Sequence, residues 1–251
     1  MQKALITGAS SGIGKEIAFI MAEAGHDLVL VARSNDELKK VKSEIEKNNK
    51  VNVSIYISDL SFPSSAERLY TLVAKENIEI LVNNAGVGLK GDFFNDNQTR
   101  TTQMVQLNVV SLTELSQLFG KEFLAKNKGK ILNIGSITAF LPGPKQPVYY
   151  ATKAYVRSLT RALAYNLKGT NVTVTALHPG VTKTGFFDAS NAANFKAGVS
   201  AHSVALLGYK AMMAGKVEVT HGFYNKFLTN VFVRLTPYRL QTLIVDKASD
   251  V

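Results

Sequence analysis

The chain contains no cysteine, which excludes disulfides and thiol catalysis. Its four histidines, His26, His178, His202 and His221, lie far apart in the sequence, with no metal-ligand spacing. No apolar stretch reaches the ~18 residues that would suggest a membrane span. Lysine and arginine outnumber the acids, 29 against 19, for a net charge of +10. They are scattered, however, and no compact basic run stands out, so nucleic acid is not expected as a partner. The excess is read as solubility and attraction of anionic ligands. Internal repeats, low-complexity tracts and linkers are missing too. A strand-like run, Lys3–Thr7, begins almost at Met1. That leaves no room for a signal peptide, and a cytoplasmic location is expected.

What is present looks like one globular domain of 251 residues, 46% hydrophobic and 19% charged. Short apolar runs alternate with amphipathic ones. Strands are predicted at Lys3–Thr7, Asp27–Ala32, Val51–Ile57, Ile78–Asn83, Gly129–Ile134, Asn171–Leu177 and Lys216–Thr220. Helices are predicted at Gly12–Ala24, Asn35–Lys47, Ser64–Lys75, Asn97–Lys126, Pro147–Leu167 and Ser200–Ala214. Such alternation implies an α/β fold whose parallel sheet is covered on both faces. Right-handed crossovers make it doubly wound.

Between the first strand and the first helix stands Gly8-Ala9-Ser10-Ser11-Gly12-Ile13-Gly14. Glycines there permit a tight turn and let backbone N–H groups approach a pyrophosphate, which the helix N-terminus also favours. A second glycine run, Gly86-Val87-Gly88-Leu89-Lys90-Gly91, has the spacing of a dinucleotide loop but no amphipathic helix after it. It is read as a decoy. At the end of the second strand, Arg33 and Ser34 stand where a reader of a ribose 2′-hydroxyl would be acidic. A guanidinium suits a 2′-phosphate instead, which points to NADP(H) over NAD(H).

Tyr149 and Lys153 are one helical turn apart and share a face. A phenol titrates near pH ~10 and is a poor base at neutrality. A nearby ammonium would lower that value, and three units would be worth roughly 4 kcal/mol. The pair is expected to be a tuned proton donor and acceptor.

Together these residues resemble the short-chain dehydrogenase/reductase family over roughly residues 3–220. Thr7–Gly14 is similar to its TGxxxGxG motif, and Asn83-Asn84-Ala85-Gly86 to its NNAG. Asn108 and Asp59 fall at the family's asparagine and its adenine-side aspartate. Ser136 lies thirteen residues before Tyr149, as the family's serine does. Pro179-Gly180, with Val181 and Thr182, is similar to the motif beside the nicotinamide amide. The resemblance implies a single-domain Rossmann fold with a seven-stranded parallel sheet of order 3-2-1-4-5-6-7. It implies catalysis by Asn108, Ser136, Tyr149 and Lys153. Tyr149 would exchange a proton with a carbonyl or alcohol oxygen, and Ser136 would hydrogen-bond that oxygen. Lys153 would lower the Tyr149 pKa and bind the nicotinamide ribose, and Asn108 would hold a water that links Lys153 to solvent. Gly8, Ser10, Ser11, Gly12, Ile13, Gly14, Arg33, Ser34, Asp59, Asn84, Ala85, Gly86, Pro179, Gly180 and Thr182, with Tyr149 and Lys153, would hold NADP(H). Homo-dimers or homo-tetramers, through helices near 97–126 and 147–167, are also implied.

Two segments escape the alternation. Pro179–Gly198 reads as a substrate lid or a surface connection. Residues 221–251 read as a helical extension of the domain, broken at Pro237. They loosely resemble the tail of a DltE-like branch that includes relatives of steroid and acyl-chain reductases. In that tail Phe223, Phe227, Val231 and Leu235 recur every four residues, beside Tyr224, Leu228 and Phe232. Such a stripe is expected to be core or a subunit contact. Lys226, Arg234 and Arg239 leave a membrane-surface role as the second reading. Phe93, Phe94, Phe140, Leu141, Phe186 and Phe187 are candidates to line an apolar substrate site. A hydride-transferring carbonyl reductase is thus the leading expectation. A catalytically silent NADP(H)-sensing regulator is the alternative.

Overall fold

The computed structural model describes residues 2–91, 93–186 and 198–248. Chain order runs β1 (Lys3–Thr7), α1 (Gly12–Glu23), β2 (Asp27–Ala32), α2 (Asn35–Asn48), β3 (Val53–Ile57), α3 (Ser65–Leu72) and β4 (Ile80–Asn83). Next come α4 (Gln98–Val105), a π turn (Gln106–Ser111), α5 (Leu112–Ala125), β5 (Gly129–Ile134), a 3-10 turn (Ile137–Phe140) and α6 (Pro147–Asn166). The remainder is β6 (Val172–His178), β7 (Thr182–Lys183), β8 (Val199–Ser200), α7 (Ala201–Met213), β9 (Glu218–Thr220) and a helical tail.

Seven strands form one parallel sheet in the order β3-β2-β1-β4-β5-β6-β9. The expected order holds. The last strand is ninth in the chain because β7 and β8 pair only with each other. Alternate residues explain the two covered faces. Ala4, Ile6, Leu28, Leu30, Ile80 and Val82 point one way, into a core shared with α1, α2 and α7. Leu5, Val29, Val31, Leu81 and Ile131 point the other way, onto α3, α5 and α6. Phe119 and Phe123 anchor that second core and are almost fully buried. Truncating either to alanine would cost about 3–5 kcal/mol.

Two helices differ from expectation. The third ends at Leu72, three residues early. The long Asn97–Lys126 helix contains the π turn, a local widening of the kind that sites often exploit. A buried polar chain fixes α6 to the sheet. Asn83 Nδ2 donates to Asn133 Oδ1 (2.9 Å) and Ser116 Oγ (3.0 Å), and Asn133 Nδ2 donates to Thr160 Oγ1 (2.9 Å). Paired amide groups avoid the cost of unpaired ones, which in this polar chain only Asn83 Oδ1 bears, and here they lock the helix that carries Tyr149.

In the tail, Phe223–Leu235 is helical, with a π turn at Leu228–Phe232, and Tyr238–Ala248 forms a second helix. Gln241 Nε2 seals the corner by donating to Val233 O (2.9 Å) and Thr236 O (2.7 Å). Phe223, Phe227, Val231 and Leu235 face solvent, with Phe223 89% exposed. The core alternative for this stripe is therefore corrected, while its exposure is compatible with the other, a subunit contact. It is the neighbouring Leu228 and Phe232 that turn inward, to a cavity whose rim is also lined by the largely exposed Tyr224. No helix among the described residues is long and apolar enough to cross a membrane.

Candidate active site

One cavity of about 620 Å³ runs across the carboxyl ends of the strands, where ligands of open α/β sheets bind. Its first wall is the glycine loop. Gly8 takes a positive φ of 66°, a conformation that suits glycine. A Cβ on Gly14 would lie 2.4 Å from both Gly8 O and Asn84 Nδ2, so only glycine allows this packing. Asn84 holds the loop by donating Nδ2 to Thr7 O (2.9 Å) and Gly8 O (3.1 Å). Thr7 Oγ1 in turn accepts from the Asn84 and Ala85 amides, both at 3.0 Å.

Helix α1 begins beside this loop with no side-chain cap from Ser11 and no acid in its first turn. Its N-terminal N–H groups and positive end therefore suit an anionic diphosphate. Ser10, Ser11, Gly12 and Ile13 line the cavity here, and Arg33 and Ser34 line its rim. Arg33 is exposed. Ser34 is engaged as the cap of α2, accepting from Glu37 N at 3.4 Å. Asp59 also lines the cavity, with Oδ1 accepting from Ser61 N (2.9 Å) and Ser61 Oγ (2.6 Å).

The far wall brings together Ser136, Tyr149 and Lys153, all at least 92% buried. Ser136 opens the 3-10 turn, its Oγ accepting from Thr138 N at 3.2 Å. Tyr149 and Lys153 come from α6, as their spacing predicts. The tuning differs from expectation. Burial pushes the Tyr149 phenol up to about 12, opposed by a hydrogen bond with Ser136. Burial also pulls Lys153 down to about 8. The reason is geometric. Lys153 Nζ stands 5.8 Å from the Tyr149 ring centroid and donates to Ile134 O at 2.9 Å. The ammonium is spent on a carbonyl, and desolvation of the phenol wins.

Asn108, in the π turn, is 1% exposed and lies outside the cavity lining. Its Nδ2 donates to Val87 O (2.8 Å) and Thr152 Oγ1 (3.2 Å), and its Oδ1 accepts from Val87 N (3.0 Å). Both amide hydrogens are committed, so a water relay through this side chain has only the remaining Oδ1 lone pair. Asn108 is foremost a brace between the Asn84–Gly88 loop and α6. The second glycine run lies along this loop, and among the described residues after it no helix starts before Gln98. Gly86 leaves room for Asn108 and Lys153, which an added Cβ would approach to 3.2 and 3.6 Å.

Pro179, Gly180, Val181 and Thr182 line the cavity, as do Leu141 and Phe186. Phe186 lies 5.7 Å from Tyr149, ring to ring. Three expected lining residues are corrected. Phe93 and Phe94 are exposed and pack on each other, and Phe140 turns away, onto His178 and Arg157 behind the turn. Phe187 lies outside the described residues. Sequence reasoning missed Thr138, Gln146 and Tyr150, and it missed that Tyr224, Leu228, Phe232, Ile244 and Val245 of the tail form one side of the cavity. Gly180 carried a signal for that contact. A Cβ there would meet Asn225 Nδ2 of the tail at 2.3 Å.

The sequence pattern of the short chain dehydrogenase family matches residues 2–194. The chain belongs to the short-chain dehydrogenase/reductase family. It is 33% identical to human 17-beta-hydroxysteroid dehydrogenase type 3 over 185 residues, covering 73% of this chain and 60% of that protein. It is 32% identical to human very-long-chain 3-oxoacyl-CoA reductase over 180 residues, covering 70% of this chain and 58% of that protein. The chain thus spans less than two thirds of the length of these curated relatives. Among solved structures, a short-chain dehydrogenase from Sphingobium yanoikuyae in complex with NADPH superimposes with a TM-score of 0.85. The two are 27% identical, and the match covers 100% of this chain and 96% of that one. The tail therefore has a structural counterpart in this family, although the family pattern stops at residue 194.

Proposed function

We propose that the chain is an NADP(H)-dependent oxidoreductase that interconverts a carbonyl and a secondary alcohol on a small apolar substrate. One observation carries this reading. Buried Ser136, Tyr149 and Lys153 close the same cavity that begins at the uncapped α1 N-terminus and Arg33. The NADPH held by the Sphingobium relative supports the cofactor. The names of the two human relatives, a hydroxysteroid dehydrogenase and a very-long-chain 3-oxoacyl-CoA reductase, support an apolar substrate.

In this reading the α1 amides bind the diphosphate and Arg33 pairs with the 2′-phosphate. When bound, the nicotinamide supplies the hydride that reaches the carbonyl carbon. Ser136 donates a hydrogen bond to the carbonyl oxygen, and Tyr149 gives that oxygen its proton. Lys153 holds the ribose and places positive charge near the phenol. Leu141, Phe186, Leu228 and Phe232 surround the carbon skeleton and exclude water. Exposed Leu124, Tyr155 and Tyr165 on α5 and α6 support a homo-oligomer.

The test is NADPH oxidation with acetophenone, 2-decanone and a 17-ketosteroid, and the reverse reaction with the matching alcohols. Turnover of at least one pair, with NADPH preferred to NADH, is the expected outcome. Tight NADPH binding without turnover of any pair would refute the reading and favour a sensor.

A further inference from the structure

Behind the 3-10 turn lies a charged cluster that the reaction above does not use. His178 ends β6 with no solvent exposure. Its ring lies against Gly135, where an added Cβ would come within 2.6 Å of Nδ1. Burial holds the ring's pKa below the ordinary histidine value, and the Ser136 carbonyl, on one side, only partly opposes that. Glu218 Oε2, at the start of β9, is 3.6 Å from Nε2 on the other. Neither ring nitrogen completes a well-aligned hydrogen bond. Buried polar atoms left in this state are costly, and a reason for keeping them is called for.

The cluster extends to α6. Arg157 Nε is 3.3 Å and Arg161 Nε 3.7 Å from the same Glu218 oxygen. The Arg157 guanidinium also lies 4.0 Å over the Phe140 ring, and Phe140 meets His178 edge-on at 5.0 Å. The turn from Ser136 to Phe140 is therefore gripped at both ends. Tyr149, Lys153, Arg157 and Arg161 follow one another at four-residue spacing along one helix face. The front half of that face holds the proton-transfer pair, and the back half holds the grip. Pro179 O, accepting from Ile137 N at 2.9 Å, and Leu177 O, accepting from Gly135 N at 2.7 Å, complete the attachment.

We propose that His178, backed by Glu218 and Arg157, is a positioning residue that sets where Ser136 stands relative to Tyr149. It touches neither substrate nor cofactor. It acts through the Gly135–Ser136 backbone and the Phe140 ring. This rests on the reading of Ser136 and Tyr149 as the pair that handles the substrate oxygen. A misplacement near 1 Å at such a pair can cost about 100-fold in rate.

The experiment uses the full chain and three variants, His178→Leu, His178→Asn and His178→Gln. Leucine fills the volume and offers no N–H. Asparagine and glutamine pack less well but keep an N–H toward Ser136 or toward Glu218. For the best ketone of the panel above, His178→Leu is expected to lower kcat by about 10- to 100-fold with KM changed less than about 3-fold. Hydrogen exchange of the 135–141 segment rises in the same variant, while NADPH affinity holds. At least one polar variant recovers kcat to within about 5-fold of the native enzyme. A purely packing role gives the opposite ranking, with leucine the best substitute, and overturns the proposal. So does unchanged exchange and kcat in His178→Leu. Should His178→Leu fail to fold, Glu218→Gln, on the cluster's exposed side, carries the same readouts. If the native chain reduces no ketone yet exchange rises in His178→Leu, the grip on the turn stands and the reductase reading falls.

Discussion

Tyr149 and Lys153 show how burial can outweigh a neighbouring charge. The phenol is raised to about 12 and the ammonium lowered to about 8, both chiefly by desolvation. A protonated phenol is the form that donates to a carbonyl, so reduction is expected to proceed across neutral and mildly alkaline pH. Alcohol oxidation needs the phenolate and is expected to climb as pH rises. Rate profiles in both directions check this, and Tyr149→Phe is expected to abolish both while leaving NADPH binding within a few-fold. Lys153 also costs stability. Its folded pKa lies below the ordinary 10.5, so the unfolded chain binds more protons between pH 8 and 10.5. Stability from this group therefore rises with pH through that window. The penalty at pH 7 is roughly 3 kcal/mol at most. Lys153→Met is expected to melt several degrees higher at pH 7 while losing activity, with the gap narrowing toward pH 10. In the proposed reading Arg33 serves the cofactor alone. Arg33→Ala is expected to weaken NADPH roughly 10- to 100-fold and NADH hardly at all, as a lost charge-assisted contact worth about 1.5–3 kcal/mol requires. Titration of cofactor fluorescence decides it.

At the scale of elements, the strands were legible because both alternating sets of side chains are apolar, the mark of a sheet buried on two faces. The glycine loop was legible because Gly8 and Gly14 meet backbone and Asn84 so closely that no other residue fits. The π turn at Gln106–Ser111 was not, since one widened turn leaves the apolar pattern of the flanking helices nearly intact. Phe140 was misassigned because its partners, His178 and Arg157, come from other elements, and only the folded chain brings them to its ring. The tail's two adjacent stripes are equally apolar. Packing against Gly180 and the cavity, not composition, selects which one turns inward. The contact of β6, β9 and α6 around Glu218 has a measurable signature. Its carboxyl is held at about 2, first by the nearby His178 ring, 3.6 Å away, and then, against the opposing effect of burial, by Arg157 and Arg161. A depressed acid stabilises the fold above its unfolded value near 4.5, and that stability is lost as pH falls toward 2. Native protein is thus expected to lose its stability advantage over Glu218→Gln between these limits, as read by urea melts at stepped pH.

Across the whole molecule, the cavity joins two kinds of wall. One is made by the strand ends and glycine loop, within residues 2–194, which the family shares. The other is made by Tyr224, Leu228, Phe232, Ile244 and Val245, which follow that stretch. Phe232→Ala and Leu228→Ala are expected to shift the ranking of ketones by kcat/KM, with larger substrates gaining. NADPH affinity is expected to stay put. A parallel loss for every ketone would count against this division.

The close approach of Gly180 to Asn225 has an evolutionary corollary. A Cβ at position 180 would come within 2.3 Å of the Asn225 amide nitrogen, so a larger residue there requires that side chain to move, and the Pro179–Thr182 segment and the tail do not drift independently. A lineage that exchanged its tail to accept a new molecule would have to keep that one glycine or rebuild the junction. In the proposed reading, reaction chemistry and substrate choice, carried by different stretches of chain, meet at this one close contact.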